Sequence, residues 1–400
     1  MDSIYLLAAF WFFAAVLSTI LANRLKISIA LMEIIVGTFI GFAAFQLGYF
    51  EKLSLNADWL KFLTGVGAVL LTFLAGAELN PDAMKSKIKE VSIIGLIGFS
   101  APFIGCSLIA YYLIGWNLQA SLLCGIALST TSMAVVYAVM LEYGFNKTEF
   151  GKGVLGACFI NDLGTVIALG LIFAPFTYKT LIFIAATILL ICTLVPMTDF
   201  IIRRFAYKTA AIRAKWVLFI LLAMGVLALW SGSEPVLPAY VLGMVLAKTM
   251  EKDGHFVRRL RTLTVGFLTP LYFLRAGALV SITALVTAPV IFLLLFGGKV
   301  ITKIFGLYPA IHRFREDKKE QWYYTLLMST GLTFGTISAL YGLTNNIITQ
   351  EQYSYIVGAV IASAVIPTLI ANKFFLPSHL LEAPVLDDQV PDQKDIINKL

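Results

Sequence analysis

Charge is scarce in this sequence. Asp, Glu, Lys and Arg make up 13% of its 400 residues, while 59% are hydrophobic; a water-soluble domain carries charge on about a quarter of its residues. Histidine is limited to three positions and cysteine to four. Cys106, Cys124, Cys158 and Cys192 all fall inside apolar runs. That placement reads as small packing residues and argues against disulfides or a metal framework. His255, His312 and His379 fall between or after the runs and read as solvated. The polar end, 377–400, is too short for a ligand-gated regulatory domain.

Apolar runs fill the rest of the chain. Each is near 20 residues, enough to cross about 30 Å of hydrocarbon at about 1.5 Å per residue. The sequence predicts an all-α polytopic membrane protein with thirteen spans. They run at 4–22, 27–49, 60–79, 91–115, 118–141, 151–173, 179–202, 215–231, 235–250, 262–280, 284–308, 320–342 and 353–376, followed by a flexible tail. The first run is read as a span and not a leader, because Asp2 stands where a basic segment is expected.

Lys and Arg cluster after spans 1, 3, 5, 7, 9 and 11, while the alternate loops carry only Lys52, Lys61 and Lys179. The positive-inside rule then puts the N-terminus outside and the C-terminus in the cytosol of a plasma (inner) membrane. The net charge of +7 is accordingly a topology signal facing anionic lipid, not a nucleic-acid surface. An odd span count allows spans 1–6 and 8–13 to be inverted repeats about span 7, a frequent plan among secondary transporters. Spans 5 and 12 support this with polar clusters at matching positions: Thr130, Thr131 and Ser132 in "ALSTTSMAV", and Ser329, Thr330 and Thr333 in "LMSTGLTFGTIS". Such clusters suit interrupted helices, and equally suit hydroxyls bonding back to their own helix.

Six ionisable groups lie well inside spans: Glu33, Glu78, Asp162, Arg275, Lys299 and Lys303. Asp162 falls near the midplane, where a charge costs several kcal/mol and usually marks an ion or proton path. A carboxyl group withdrawn from water takes and releases its proton nearer neutral pH. Ionised, it offers oxygen to a small cation. A carboxylate that holds a proton or a cation, but not both, is an exchanger by competition. Thr130, Thr131 and Ser132 are candidates to complete the ion's shell. Lys303 pairs with Asp162, with Glu78 or with nothing, or snorkels to the cytosolic end; Lys299, one turn away, reads as a snorkelling or supporting residue. Arg275 ties helices together or neutralises Glu78 or Glu33, and Glu33 is a supporting charge.

Taken in order, six stretches resemble one family. "ISIALMEIIVGTFIG" resembles its entrance helix, "FLAGAELNPDAMK" its Gly-x-Glu-Leu segment with Glu78 at the acid, and "LSTTSMAVVYAVMLEYG" its unwound Thr-Ser helix. "NDLG" matches its Asn-Asp pair, "FLTPLYFLRAGALVS" another of its helices, and "ITKIFGLYP" puts Lys303 at its buried base. The chain thus resembles the cation/proton antiporters of the monovalent cation superfamily, of the sodium/proton exchanger type. That resemblance implies two crossed, broken helices from spans 5 and 12, in a core of about 91–173 and 284–376. It further implies a dimer-forming scaffold of about 1–80 and 215–280, a linker helix at 179–202, and an elevator motion of the core. Asp162 would bind cation and proton in turn, with Asn161 beside it and Thr131 as a cation ligand. Asn161 in place of a second acid is the electroneutral pattern. The arginine that many members carry after the span-12 serine is missing from "MSTGLT".

The expected activity is therefore exchange of sodium or lithium for protons, by a non-enzyme without a cofactor. Potassium/proton exchange on the same scaffold is the alternative. An intramembrane aspartyl protease needs two carboxylates sharing a proton, and Asp162 is the single aspartate at mid-membrane. A channel needs no protonatable midplane carboxylate.

Overall fold

The computed structural model describes residues 2–25, 29–77, 87–143, 145, 148–173, 177–205, 211–233, 235–251 and 254–380. Among these there are helices and no strands. In chain order they are α1 (Asp2–Leu25), α2 (Ile29–Gln46), α3 (Asp58–Ala77), α4 (Ile88–Leu108), α5 (Leu118–Ser129), α6 (Met133–Glu142), α7 (Glu149–Phe173), α8 (Tyr178–Phe205) and α9 (Ile212–Ser231). There follow α10 (Val236–Glu251), α11 (Gly254–Leu263), α12 (Thr269–Ala278), α13 (Ile282–Thr287), α14 (Pro289–His312), α15 (Lys318–Met328), α16 (Thr333–Thr344) and α17 (Gln350–Phe374).

Among the described residues, ten segments are long and apolar enough to cross a membrane. The remaining expected spans are present in shorter pieces: α5 with α6, α10, and α11 with α12. Local chemistry sets the boundaries. Asn117 caps α5, its Oδ1 accepting from Ala120 N at 2.8 Å. Thr349 and Gln352 form a reciprocal capping box on α17. Span 11 is divided because Pro289 excludes the helical conformation at Ala288, which sits at φ −132° and ψ 62°. Single π turns end α4, at Ile109–Leu113, and precede α12, at Thr264–Leu268.

The helices pack in two recognisable sets. In one, α2 lies on α12, α3 on α10, and α9 on both α8 and α10. At Gly37 and Gly41 the backbone of α12 comes so close, at Leu274 and Ala278, that a Cβ has no room. In the other set α4, α5, α7, α14, α15, α16 and α17 surround the two helix breaks. One end of this second set is held by charge. Arg315 places Nη2 2.6 Å and Nε 3.1 Å from Glu90 Oε1 and lies over the Phe150 ring. Tyr324 donates its hydroxyl to Gly153 O at 2.9 Å, binding α15 to the start of α7.

Three expectations need correction. His379 is not merely solvated: its Nε2 lies 2.8 Å from Glu320 Oε1. Cys106, Cys124 and Cys158 are buried, but Cys192 is exposed on α8 and packs no interior. The start of the tail is docked, since Leu380 packs with the apolar cluster around Tyr323; residues 381–400 lie outside the described residues.

Candidate functional site

The two Ser-Thr clusters are helix breaks, and they cross. α5 stops at Ser129 because Thr130 turns to an extended conformation (φ −62°, ψ 150°). α15 stops at Met328, and α16 resumes at Thr333. Ser132 N donates to Thr330 O at 3.2 Å, joining one break to the other. Four hydroxyls bond back to their own helices. Ser129 donates to Ile126 O, Thr130 to Ala127 O, Ser329 to Thr325 O and Thr330 to Leu327 O, at 2.8 to 3.0 Å. These bonds add partners to carbonyls near the interruptions, where amide donors run short, and Leu327 O also accepts from Thr330 N at 3.2 Å. Ser132 Oγ accepts from Val135 N at 3.3 Å and so starts α6. Thr333 begins α16 and is nearly buried. The back-bonding and the unwinding are thus two aspects of one structure.

α7 carries Asn161 and Asp162 into this crossing. Both are buried, at 0% and 1% exposure. The neighbouring α14 brings Lys299 and Lys303, each 0% exposed. Snorkelling is excluded for both. Lys303 Nζ donates to Asn161 Oδ1 at 2.8 Å and to Thr131 Oγ1 at 2.9 Å. Asn161 Nδ2 donates to Ser129 O at 3.1 Å, and the Thr131 hydroxyl lies 2.8 Å from both Asn161 Oδ1 and Met328 O. Of the alternatives expected for Lys303, pairing with Asp162 is replaced by bonds to a neutral amide and a hydroxyl. A carboxamide oxygen accepts from the ammonium as a carboxylate would, without a compensating charge. Lys299 Nζ donates to Thr130 O at 3.2 Å. It rests against Gly331, where a Cβ would collide with it. An ammonium there faces the carbonyl ends of α5 and α15, which carry partial negative charge.

Asp162 is left with an open ligand position. Among the described residues its Oδ1 is buried and has no hydrogen-bond partner. Both lysines, Cys158 and the Tyr240 hydroxyl are within electrostatic range of it. A buried, unpartnered carboxylate oxygen costs several kcal/mol, unless a proton or a cation satisfies it. The oxygen-rich surroundings suit a small hard cation.

Residues outside the expected set complete the site. Tyr240 of α10 stacks on Phe159 with ring centroids 5.3 Å apart, meets Phe334 edge-on at 5.7 Å, and donates its hydroxyl to Phe159 O at 3.1 Å. It links α10, in the first helix set, to α7 and α16, in the second. A cavity of about 500 Å³ lies beyond, lined by Lys61, Val69, Tyr272, Arg275, Ile337 and Asn345 among others. Ile337 is one turn from Phe334, so the cavity approaches the aromatic cluster. The sequence held no distinguishing signal for Tyr240, one of many aromatic rings in apolar runs. It held none for Met328 either.

The supporting charges lie elsewhere. Arg275 donates Nε to Leu55 O at 2.7 Å, tying α12 to the segment before α3. Its hydrogen bond does not go to Glu33, which is buried on α2 without a partner among the described residues. Glu78 lies outside the described residues.

Comparison with known proteins places this geometry. The family profile described as sodium/hydrogen exchanger, transmembrane, matches residues 12–374. The chain is 26% identical over 333 residues to the probable Na(+)/H(+) antiporter 3 of Methanocaldococcus jannaschii, covering 80% of this chain and 84% of that protein. It is 24% identical to the Na(+)/H(+)-K(+) antiporter GerN of Bacillus cereus, covering 92% and 96%. Its fold is similar to that of the sodium proton antiporter MjNhaP1 of M. jannaschii, with a TM-score of 0.68 at 16% identity over 93% of this chain and 99% of the other. A polytopic helical membrane protein with crossed helix breaks around a buried aspartate, the chain belongs to the sodium/hydrogen exchanger family.

Proposed function

We propose that the protein exchanges sodium or lithium for protons in an electroneutral 1:1 cycle, with Asp162 holding the cation and the proton alternately. One observation carries this reading: Asp162 Oδ1 is buried and unpartnered, while both nearby lysines spend their hydrogen bonds on neutral groups. Asp162 is thus, among the described residues, the one acid at the helix breaks free to take either ion. One carboxylate trading one proton for one monovalent cation moves no net charge, and Asn161 adds none. Thr131, already bound to Lys303, contributes its hydroxyl oxygen to the ion's surroundings.

In this reading the helices around the breaks form a moving core, about 91–173 and 284–376. Helices in about 1–80 and 215–280 form a scaffold through which two copies pair, and 179–202 links them. The N-terminus is outside and the C-terminus cytosolic, so the cavity near Lys61 and Asn345 opens outward and leads to Tyr240. Core movement relative to Tyr240 alternates access.

Potassium is the second candidate cation, because GerN, similar over almost its whole length, is described as exchanging sodium for protons and potassium. Everted vesicles with a pH-sensitive dye test both readings. Sodium or lithium should dissipate an imposed proton gradient, and Asp162→Asn should abolish the response. Dissipation by potassium alone would reassign the cation. Full activity in Asp162→Asn would remove the mechanism.

A further inference from the structure

Two sulfur atoms lie beside the cation site. Cys158 precedes Asp162 by one turn of α7, and its thiol points at Met328 Sδ, 3.5 Å away. Both residues are 0% exposed. Residues four apart share a helix face, so Cys158 and Asp162 face the same side, and they are within electrostatic range of each other. Met328 ends α15 at the break, and its carbonyl accepts the Thr131 hydroxyl at 2.8 Å, which fixes the base of the thioether. The unpartnered Asp162 Oδ1 supplies a nearby anionic oxygen.

Sodium and lithium prefer oxygen and pass such a pair by. Monovalent cations with filled d shells prefer thiolate and thioether sulfur. We infer that Cys158 Sγ and Met328 Sδ form a binding site for a soft monovalent cation, Cu⁺ or Ag⁺, which enters by the route of the transported cation and blocks exchange. The inference rests on the proposed cation path to Asp162. On binding, the Cys158 S–H bond breaks and a metal–sulfur bond forms. The proton leaves toward Asp162 and water. Met328 donates a lone pair, and no electron is transferred. The unbranched Met side chain can rotate to admit the ion. Once bound, the ion is neutralised by the Cys158 thiolate and bridges α7 and α15, and it blocks exchange by filling the space beside Asp162 on the cation's path.

The test uses the full chain with Cys106, Cys124 and Cys192 changed to alanine, so that Cys158 is the single cysteine of the four. Purified protein is exposed to Ag⁺ in chloride-free buffer and desalted, and silver is measured by elemental analysis. We expect one Ag⁺ per chain, loss of that ion in Cys158→Ser, and about tenfold weaker retention in Met328→Leu, which keeps the apolar volume. Thermal unfolding establishes that each variant is folded. In proteoliposomes Ag⁺ should stop sodium-driven proton movement by the single-cysteine chain, with excess sodium slowing the onset. No bound silver, or equal binding in Cys158→Ser, overturns the site. Binding without inhibition overturns the block. A chain that binds silver as expected but never exchanges cations for protons would leave the sulfur site standing and remove the antiport reading.

Discussion

Lys303 donates its hydrogen bond to Asn161 and not to Asp162, although the two positions are adjacent on α7. The buried ammonium is held by an amide oxygen at 2.8 Å, and the only carboxylate at the helix breaks among the described residues is kept for other partners. Replacing Asn161 by Asp gives Lys303 a charged partner in the same place and the site a second exchangeable proton. Transport by Asn161→Asp in proteoliposomes should become sensitive to an imposed membrane potential, whereas the parent protein should not respond. A potential-dependent parent would assign Lys303 a proton of its own.

Gly331 leaves room for the Lys299 ammonium. Gly331→Ala should cost about 1–3 kcal/mol through overpacking, read as a lower unfolding temperature in detergent. Combining it with Lys299→Ala should cost clearly less than the two single changes added together, because the collision is gone. Strict additivity would show that the two residues do not touch.

Tyr240 makes two separable contributions. Tyr240→Phe keeps the stack on Phe159 and removes the hydrogen bond to Phe159 O, a change of about 1 kcal/mol. Tyr240→Ala removes the ring between the cavity and α7, at about 3–5 kcal/mol. Vesicles carrying the alanine variant should leak protons when no sodium or lithium is present. A tight but slow alanine variant would mean that the ring supports the fold and does not close the path.

Asp317 caps α15, its Oδ1 accepting from Lys319 N at 2.7 Å and from Glu320 N at 3.0 Å. The Glu320 amide foremost, and the Lys319 amide with it, hold its carboxyl below the usual carboxylate range. A group whose folded pKa is depressed stabilises the fold above its unfolded value and loses that contribution as pH falls through the folded one. Asp317→Ala should therefore lower stability by about 1 kcal/mol at neutral pH. The difference from the parent should shrink below about pH 4. A constant difference down to pH 2 would show that the charged cap contributes nothing.

Much of this was legible in the residues. Apolar run length fixes the spans, because the bilayer imposes one length on every crossing helix. The isolation of Asp162 among apolar neighbours singled it out as a candidate, since a carboxylate at mid-membrane usually marks an ion or proton path. The fate of Lys303 was not legible. A lysine has three donors and a long stem, and sequence spacing on α14 says nothing of which residue on α7 lies opposite. Tyr240 and Met328 were hidden for another reason. In a chain where apolar residues are everywhere, an aromatic ring or a thioether carries no distinguishing pattern until a neighbour 81 or 170 residues away is in place. Glu90 and Arg315 sit near span ends, where charge is ordinary, so their pairing at 2.6 Å left no trace in composition.

The hydrogen bond from Lys303 to Asn161 joins positions 142 residues apart. At the pace of a ribosome, about 5–20 residues per second, α7 waits on the order of ten seconds before its basic partner is made. During biosynthesis the newly inserted Asn161 must do without that partner until α14 is made. Assembly of the Asn161–Lys303 pair is thereby deferred until about three quarters of the chain has been made.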